Sequence, residues 1–258
     1  MIECLRKFKE QRFLFEELVK RDFKKKYKRT YLGMFWSLLS PLLSLLIMSL
    51  VFTGFFGRTQ PHYAIYIFCG NIVFTYFTDS TGGGMGALLS NAEIFSKINL
   101  PKYLFLLSRN LSSLINFGLT FLVFLFFCII DGIKLGVVFF ALIIPIFSLV
   151  IFNLGMGLIL SALFVFFRDM QYLWGVFTML LMYMSAIFYT LDNFSPGIQR
   201  LFHLNPVYVY IRYFRLVVID GRFPSVEMNL LALGYALLAF TIGAFIYKRY
   251  NHKFIYYV

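Results

Sequence analysis

The chain has 258 residues, of which 60% are hydrophobic and only 14% charged, against roughly 45–50% and about 25% in a soluble domain. No water-soluble interior of that size holds so much apolar side chain, so a soluble enzyme or binding module is excluded and the excess must face lipid. The formal net charge of +12 does not point to nucleic acid, because eleven of the 24 Lys and Arg residues precede Met34, where the positive-inside rule and anionic cytoplasmic lipid place them.

Taken in chain order, residues 8–31 do not span. Phe15, Val19, Phe23, Tyr27 and Tyr31 recur every four positions with Leu18 beside them, while Lys20, Arg21, Lys24, Lys25 and Lys28 take the other faces. The spacing predicts an amphipathic helix lying in the cytoplasmic interface. Six apolar stretches follow, at about 35–56, 63–81, 103–130, 135–166, 172–191 and 228–247. The third and fourth exceed the ~20 residues that a 30 Å hydrocarbon core requires, so tilt or extension beyond the bilayer is expected. With the N-terminus inside, 18 Lys and Arg fall on the cytoplasmic side and 6 outside, which predicts that both ends are cytoplasmic. The expected fold is therefore all-α and polytopic, a single membrane domain over residues 1–258. No internal repeat is visible, which weakens a secondary transporter built from inverted halves.

Three segments that do not span carry further expectations. Ser90 and Glu93 have capping-box spacing and Pro101 stops a helix, so 90–100 reads as a short helix. Its Ile94, Phe95 and Ile98 share a face that either packs on the chain's own helix ends or docks a soluble partner. Arg168 and Asp169 sit at the junction of the fourth and fifth stretches, as a solvated turn or as a second docking point. Residues 192–225 are too apolar for an exposed loop, and Ser195-Pro196 and Asn205-Pro206 each read as a helix start. Two short helices, about 196–203 and 206–219, predict a re-entrant hairpin between the fifth and sixth spans. Such broken helices are tolerated only where protein or a water-filled cavity receives them.

Chemistry-bearing motifs are missing. There is no phosphate loop of the G-x-x-x-x-G-K-[ST] type, and Cys4, Cys69 and Cys128 have no metal spacing. His62, His203 and His252 are scattered. Asp79, near the inner end of the second stretch, is either a functional carboxylate or one that reaches cytoplasmic water. A proton- or ion-driven carrier would need several such groups at mid-membrane, so the energy source is expected on another chain.

Three motifs, in this order, resemble the permease subunits of ABC-2 type exporters that move lipid-linked bacterial polysaccharides and teichoic acids. The first is Arg21-Asp22-Phe23-Lys24-Lys25-Lys26-Tyr27 followed by Tyr31-Leu32-Gly33-Met34-Phe35-Trp36-Ser37-Leu38-Leu39-Ser40-Pro41. The second is Phe166-Phe167-Arg168-Asp169, and the third is Leu204-Asn205-Pro206 with Arg212 and Arg215 downstream. Lys97 to Pro101 is also similar to the family's first coupling segment. One departure is visible: many members carry Thr-Pro-Ile before the tyrosine that ends span five, where this chain has Ser185-Ala186-Ile187-Phe188-Tyr189. That puts the local kink in doubt.

The resemblance implies a non-enzymatic transport subunit in a bacterial cell membrane, which pairs with a second copy of itself and two copies of a separate subunit that binds Mg-ATP. This chain would carry no cofactor. Cargo would be a polyprenyl-linked glycan, such as O-antigen or teichoic acid, passed outward through a channel among membrane lipids. Ile94, Phe95, Ile98, Arg168 and Asp169 would dock the ATP-binding subunit through short coupling helices. Trp36, Tyr76, Tyr183 and Tyr189 are candidates to line the channel, because ring faces stack on sugars without a fixed register. Asn205, Pro206, Tyr210, Arg212 and Arg215 are candidates for an outer gate. The alternatives are an ABC-2 permease for small hydrophobic compounds or lipids, and a membrane-embedded enzyme or passive channel.

Overall fold

A computed structural model describes residues 12–28, 30–56, 62–97, 100–192 and 194–257. Among them every regular element is helical. In chain order these are α1 (Arg12–Tyr27), α2 (Trp36–Phe56), α3 (Tyr63–Met85), α4 (Ala92–Lys97), α5 (Tyr103–Ile130) and α6 (Ile143–Phe166), then α7 (Met170–Met184), α8 (Pro196–Phe202), α9 (Pro206–Val218), α10 (Val226–Tyr250) and α11 (Phe254–Tyr257). Short 3₁₀ turns precede α2, α4 and α6 at Gly33–Phe35, Leu89–Asn91 and Val137–Leu142. Three helical stretches, Tyr103–Ile130, Val137–Phe166 and Val226–Tyr250, are long and apolar enough to cross a membrane; α2 adds 21 residues and α3 adds 23.

Small residues set the tightest packing. In lipid, helices gain nothing from hiding apolar surface from one another, so close backbone approach must supply the attraction. Ala232, Ala236, Ala239 and Gly243 are the buried small residues of α10, and α6 answers with Gly155. A Cβ at Gly155 would lie 2.4 Å from the Phe240 nitrogen, and one at Gly243 2.5 Å from the Gly155 oxygen. Behind α6, a Cβ on Gly84 of α3 would stand 3.0 Å from the Gly157 Cα. Into this layer α9 is wedged, with all but Pro206, Arg212 and Leu216 buried. Its helix start is held by Asn205, whose side chain accepts from the Val207 and Tyr208 amides at 3.0 and 3.4 Å.

Several local expectations change. The chain does not hold a helix to Leu191: α7 ends at Met184, and Ala186 takes a left-handed φ of 49°. The expected coupling helix at 167–171 is a turn, with Phe167 extended and α7 starting at Met170. Ser90 does not cap the short helix; it lies in the 3₁₀ turn and its hydroxyl bonds back to the Ala87 carbonyl at 3.4 Å. In α1, Leu18, Val19 and Asp22 are buried and Leu14, Phe15 and Phe23 partly buried, so the face set against protein takes in part of the expected aromatic stripe, whereas Tyr31 is fully exposed. Residues 8–11 and 29 of the expected amphipathic helix, and Ile98 and Asn99 of the expected short helix, lie outside the described residues.

Candidate functional site

The polar chemistry gathers at the two ends of the bundle and along one groove between them. At the end holding α8 and α9, the irregular segment after α7 exposes carbonyls that no helix satisfies. Arg215 takes them up. The residue is 8% exposed, and its guanidinium donates to the Ala186 oxygen at 2.9 Å, the Ile187 oxygen at 3.0 Å, the Tyr66 carbonyl at 3.3 Å and the Tyr66 hydroxyl at 2.8 Å. It also lies flat over the Tyr66 ring, 3.4 Å from its centroid. Tyr63 and Tyr66 donate to the next two carbonyls, Phe188 and Tyr189, both at 2.7 Å. Asn205 donates to the Met184 carbonyl at 3.1 Å and the Ser185 hydroxyl at 2.9 Å. One asparagine thus caps α9 and ties off α7.

The residues expected at the outer gate lie in and around this arrangement. Arg215 and Asn205 hold the break after α7, and Tyr210 is fully buried, donating to the Ala232 carbonyl of α10 at 2.8 Å. Pro206 occupies the first turn of α9. Arg212 alone of the set is exposed. It borders a cavity of about 300 Å³ with Asp192, Gln199, His203 and Asp220. Burial, then the nearby Arg212 charge, hold the His203 imidazole below its ordinary pKa, against the opposing pull of Glu227.

Between the ends, three apolar helices each turn a polar stripe toward a shared groove of about 360 Å³. α2 supplies Ser37, Ser40 and Ser44, α3 supplies Asn71, Thr75 and Asp79, and α5 supplies Ser113, Asn116 and Thr120. Within each helix these recur at three- or four-residue spacing, which sets them on one face. Trp36 and Tyr76 border the same groove. Tyr76 is buried and leans on Phe117 with centroids 4.9 Å apart. Asn110 of α5 clips the wall to α3 by donating to the Ser80 hydroxyl at 2.9 Å. Tyr183 and Tyr189 are not among the groove residues: Tyr183 lies on the open face of α7 at 53% exposure, and the Tyr189 hydroxyl donates to the Tyr183 carbonyl at 2.7 Å.

The groove continues to the opposite, basic end. Asp79, Ser113 and Asn116 also line a 260 Å³ cavity with Asp22, Lys25 and Arg109. That cavity in turn shares Asp22, Lys25 and Arg109 with a 610 Å³ recess bearing Arg21, Lys24 and Lys28. Asp22 is 3% exposed and fully engaged, with Arg21 at 2.8 Å on one oxygen and the Ser108 hydroxyl at 3.0 Å on the other. Arg21 also donates to Asn91 at 2.7 Å, which fastens α1 to the turn before α4.

The turn before α4 borders that recess through Ser90 and Asn91, which places the first expected docking segment beside it. Phe95 is buried against Phe105, and Ile94 is half-buried in the same cluster. Among the described side chains of α4 the exposed ones are the polar Glu93 and Lys97, and Ser90 is exposed in the turn before it. Arg168 and Asp169 are both exposed, with Phe167 beside them. The C-terminal tail joins the two segments. Lys102 donates to the Asn251 carbonyl at 2.6 Å between the Phe95 and Phe254 rings, and Arg168 donates to the Tyr257 carbonyl at 3.1 Å. Burial pushes the Lys102 ammonium below its usual pKa.

The sequence reading missed the groove stripes, the Tyr63–Tyr66–Arg215 lock and the tail. The stripes had a visible signal in their helical spacing. The lock had none, since Arg215 and Tyr66 stand 149 residues apart.

The profile of the ABC-2 type transporter family matches residues 14–219, from α1 to just past the end of α9. The chain belongs to the ABC-2 type transporter family. It is similar to the O-antigen export system permease protein RfbA of Myxococcus xanthus, 27% identical over 248 residues that cover 92% of this chain and 93% of that protein. It is also similar to a Klebsiella pneumoniae protein of the same name, at 26% over 247 residues, 94% of this chain and 95% of that one.

Proposed function

We propose that this chain is the membrane permease of an ATP-driven exporter that carries a surface polysaccharide, an O-antigen or related glycan, from the cytoplasm to the outer face. The observation that carries the reading is the groove. Apolar helices of this family member hold three aligned rows of hydroxyls, amides and a carboxylate, most of them open to the groove, and polar groups within membrane-spanning helices are costly unless protein, water or a ligand meets them. A sugar chain offers hydroxyls in both donor and acceptor roles, and the groove answers with the same chemistry. The relatives' names point the same way.

In this reading α2, α3, α5, the 137–166 stretch, α7 and α10 make six crossings, and the positive-inside rule supports a cytoplasmic basic end. At 1.5 Å per residue the 15 residues of α7 reach roughly 22 Å, so the irregular segment after it completes that crossing, and α8 and α9 form the outer re-entrant pair. α7 is apolar and exposed almost all round, which suits lipid and a second copy of the chain closing the groove into a channel. Two ATP-binding subunits, each holding Mg-ATP, would dock on α4 and the 167–169 turn, and the tail that bridges those segments would let them move together. Cargo on a polyprenyl carrier fits a groove open to the bilayer. An exporter of small hydrophobic compounds would want an apolar lining instead.

Deletion of the gene, followed by chemical analysis of the cell-surface glycan and of lipid-linked intermediates inside, tests this reading. The expected result is loss of surface glycan with carrier-bound glycan trapped in the cytoplasmic leaflet. Normal surface glycan would sink it.

A further inference from the structure

Resting on that proposed function and extending it, we infer that the recess around Arg109 is a binding site for a phosphate-type anion, the phosphate or diphosphate that links cargo to its lipid. The observation is a charge imbalance in a concave place. Five cations, Arg21, Lys24, Lys25, Lys28 and Arg109, face the 610 Å³ recess with Asp22 as the one carboxylate among its lining residues. Both oxygens of Asp22 are already taken, by Arg21 and Ser108. Lys24, Lys25, Lys28 and Arg109 form no ion pair among the described residues.

A solvated basic helix does not account for Arg109. It rises from α5, behind α1, and is half-buried. It lines both the recess and the smaller cavity that runs on to Asp79 and the groove. Guanidinium presents a planar fork that fits two phosphate oxygens, and lysines beside it add charge without demanding geometry. The recess would therefore hold the anionic head while the attached sugars lie along the hydroxyl rows. Gly83 flanks the neck: a Cβ there would sit 3.8 Å from the Arg109 Nε, so a glycine leaves this side open.

The test uses the full-length chain in nanodiscs of phosphatidylcholine, titrated with a fluorescent isoprenoid diphosphate and, separately, with inorganic pyrophosphate. Arg109→Gln weakens lipid binding by about tenfold, the loss expected of one charge-assisted contact. Gly83→Leu, which keeps every charge but fills the neck, weakens it comparably and stands in if Arg109→Gln does not fold. Lys20→Gln, an equal loss of charge on the outer face of α1 beside Glu17, leaves binding within about twofold. If pyrophosphate displaces the lipid at equal concentration, the site reads the anion alone; if it competes only weakly, the site reads a lipid-borne anion. Either outcome supports the site. Equal effects of Arg109→Gln and Lys20→Gln, or no binding of either probe, would overturn it in favour of diffuse surface potential. Because the readout is binding, glycan export can fail as a reading while this site stands, and the reverse.

Discussion

At one end of the bundle Arg215 is buried with four hydrogen bonds to carbonyls and a tyrosine hydroxyl. At the other, Arg109 is half-buried over a recess and has no ion pair among the described residues. The two side chains are chemically identical. What separates them is whether the fold has used up their donors. Arg215 meets the Ala186 and Ile187 carbonyls that the break after α7 leaves open, so its work is done inside the chain. Arg109 keeps its donors for something that arrives. A cation's partners say more about its role than its depth does.

The comparison can be broken most sharply at Arg215. Arg215→Leu leaves the Ala186 and Ile187 carbonyls unpaired in an apolar setting, and at ~1–3 kcal/mol per orphaned group the protein should lose about 3 kcal/mol or more. Membrane-extracted protein should accumulate poorly and melt early. Arg215→Lys rescues little, since one ammonium cannot span the fork. Full thermal stability of either variant would mean the lock is ornamental.

Next in size is Gly155→Leu, which tests whether close packing holds α6 to α10. Its Cβ has only 2.4 Å to the Phe240 nitrogen, so the helices must part, at a cost of about 2–3 kcal/mol. A thermal midpoint equal to wild type would refute the packing argument. Asn205→Ala follows, at roughly 1–2 kcal/mol for a lost cap, plus the tie to Met184 and Ser185. Hydrogen exchange should rise at both the start of α9 and the end of α7; a rise at α9 alone would show that the tie contributes nothing. The smallest stability effect belongs to Arg109→Gln, within about 0.5 kcal/mol, and it should be accompanied by reduced export. A large drop in melting temperature would make Arg109 a second Arg215.

Much of this layout was legible in the sequence, and the rest was hidden for physical reasons. Pro196 and Pro206 marked the starts of α8 and α9 because a proline directly after Ser or Asn suits the first turn of a helix. The end of α7 was not marked, since Ser185-Ala186 contains neither glycine nor proline. The left-handed turn at Ala186 exists because Arg215 and Asn205, distant in sequence, hold it. Phe95 looked like a docking knob from its spacing, but it packs on Phe105 and Lys102 lies between its ring and Phe254 of the tail, and no local pattern records a partner so far along the chain. The groove stripes were readable in principle. They were overlooked because serine, threonine and asparagine are diluted among phenylalanine and leucine on the same helices.

The most direct test of the central claim measures surface glycan in cells carrying Ser40→Leu, Thr75→Leu and Ser113→Leu together, one change from each helix of the groove. Leucine keeps the helices and removes the hydroxyl path. The account predicts normal amounts of the permease in the membrane with surface glycan reduced by about tenfold or more, the loss of a few hydrogen bonds along the path. Wild-type glycan on cells making the triple variant would contradict it.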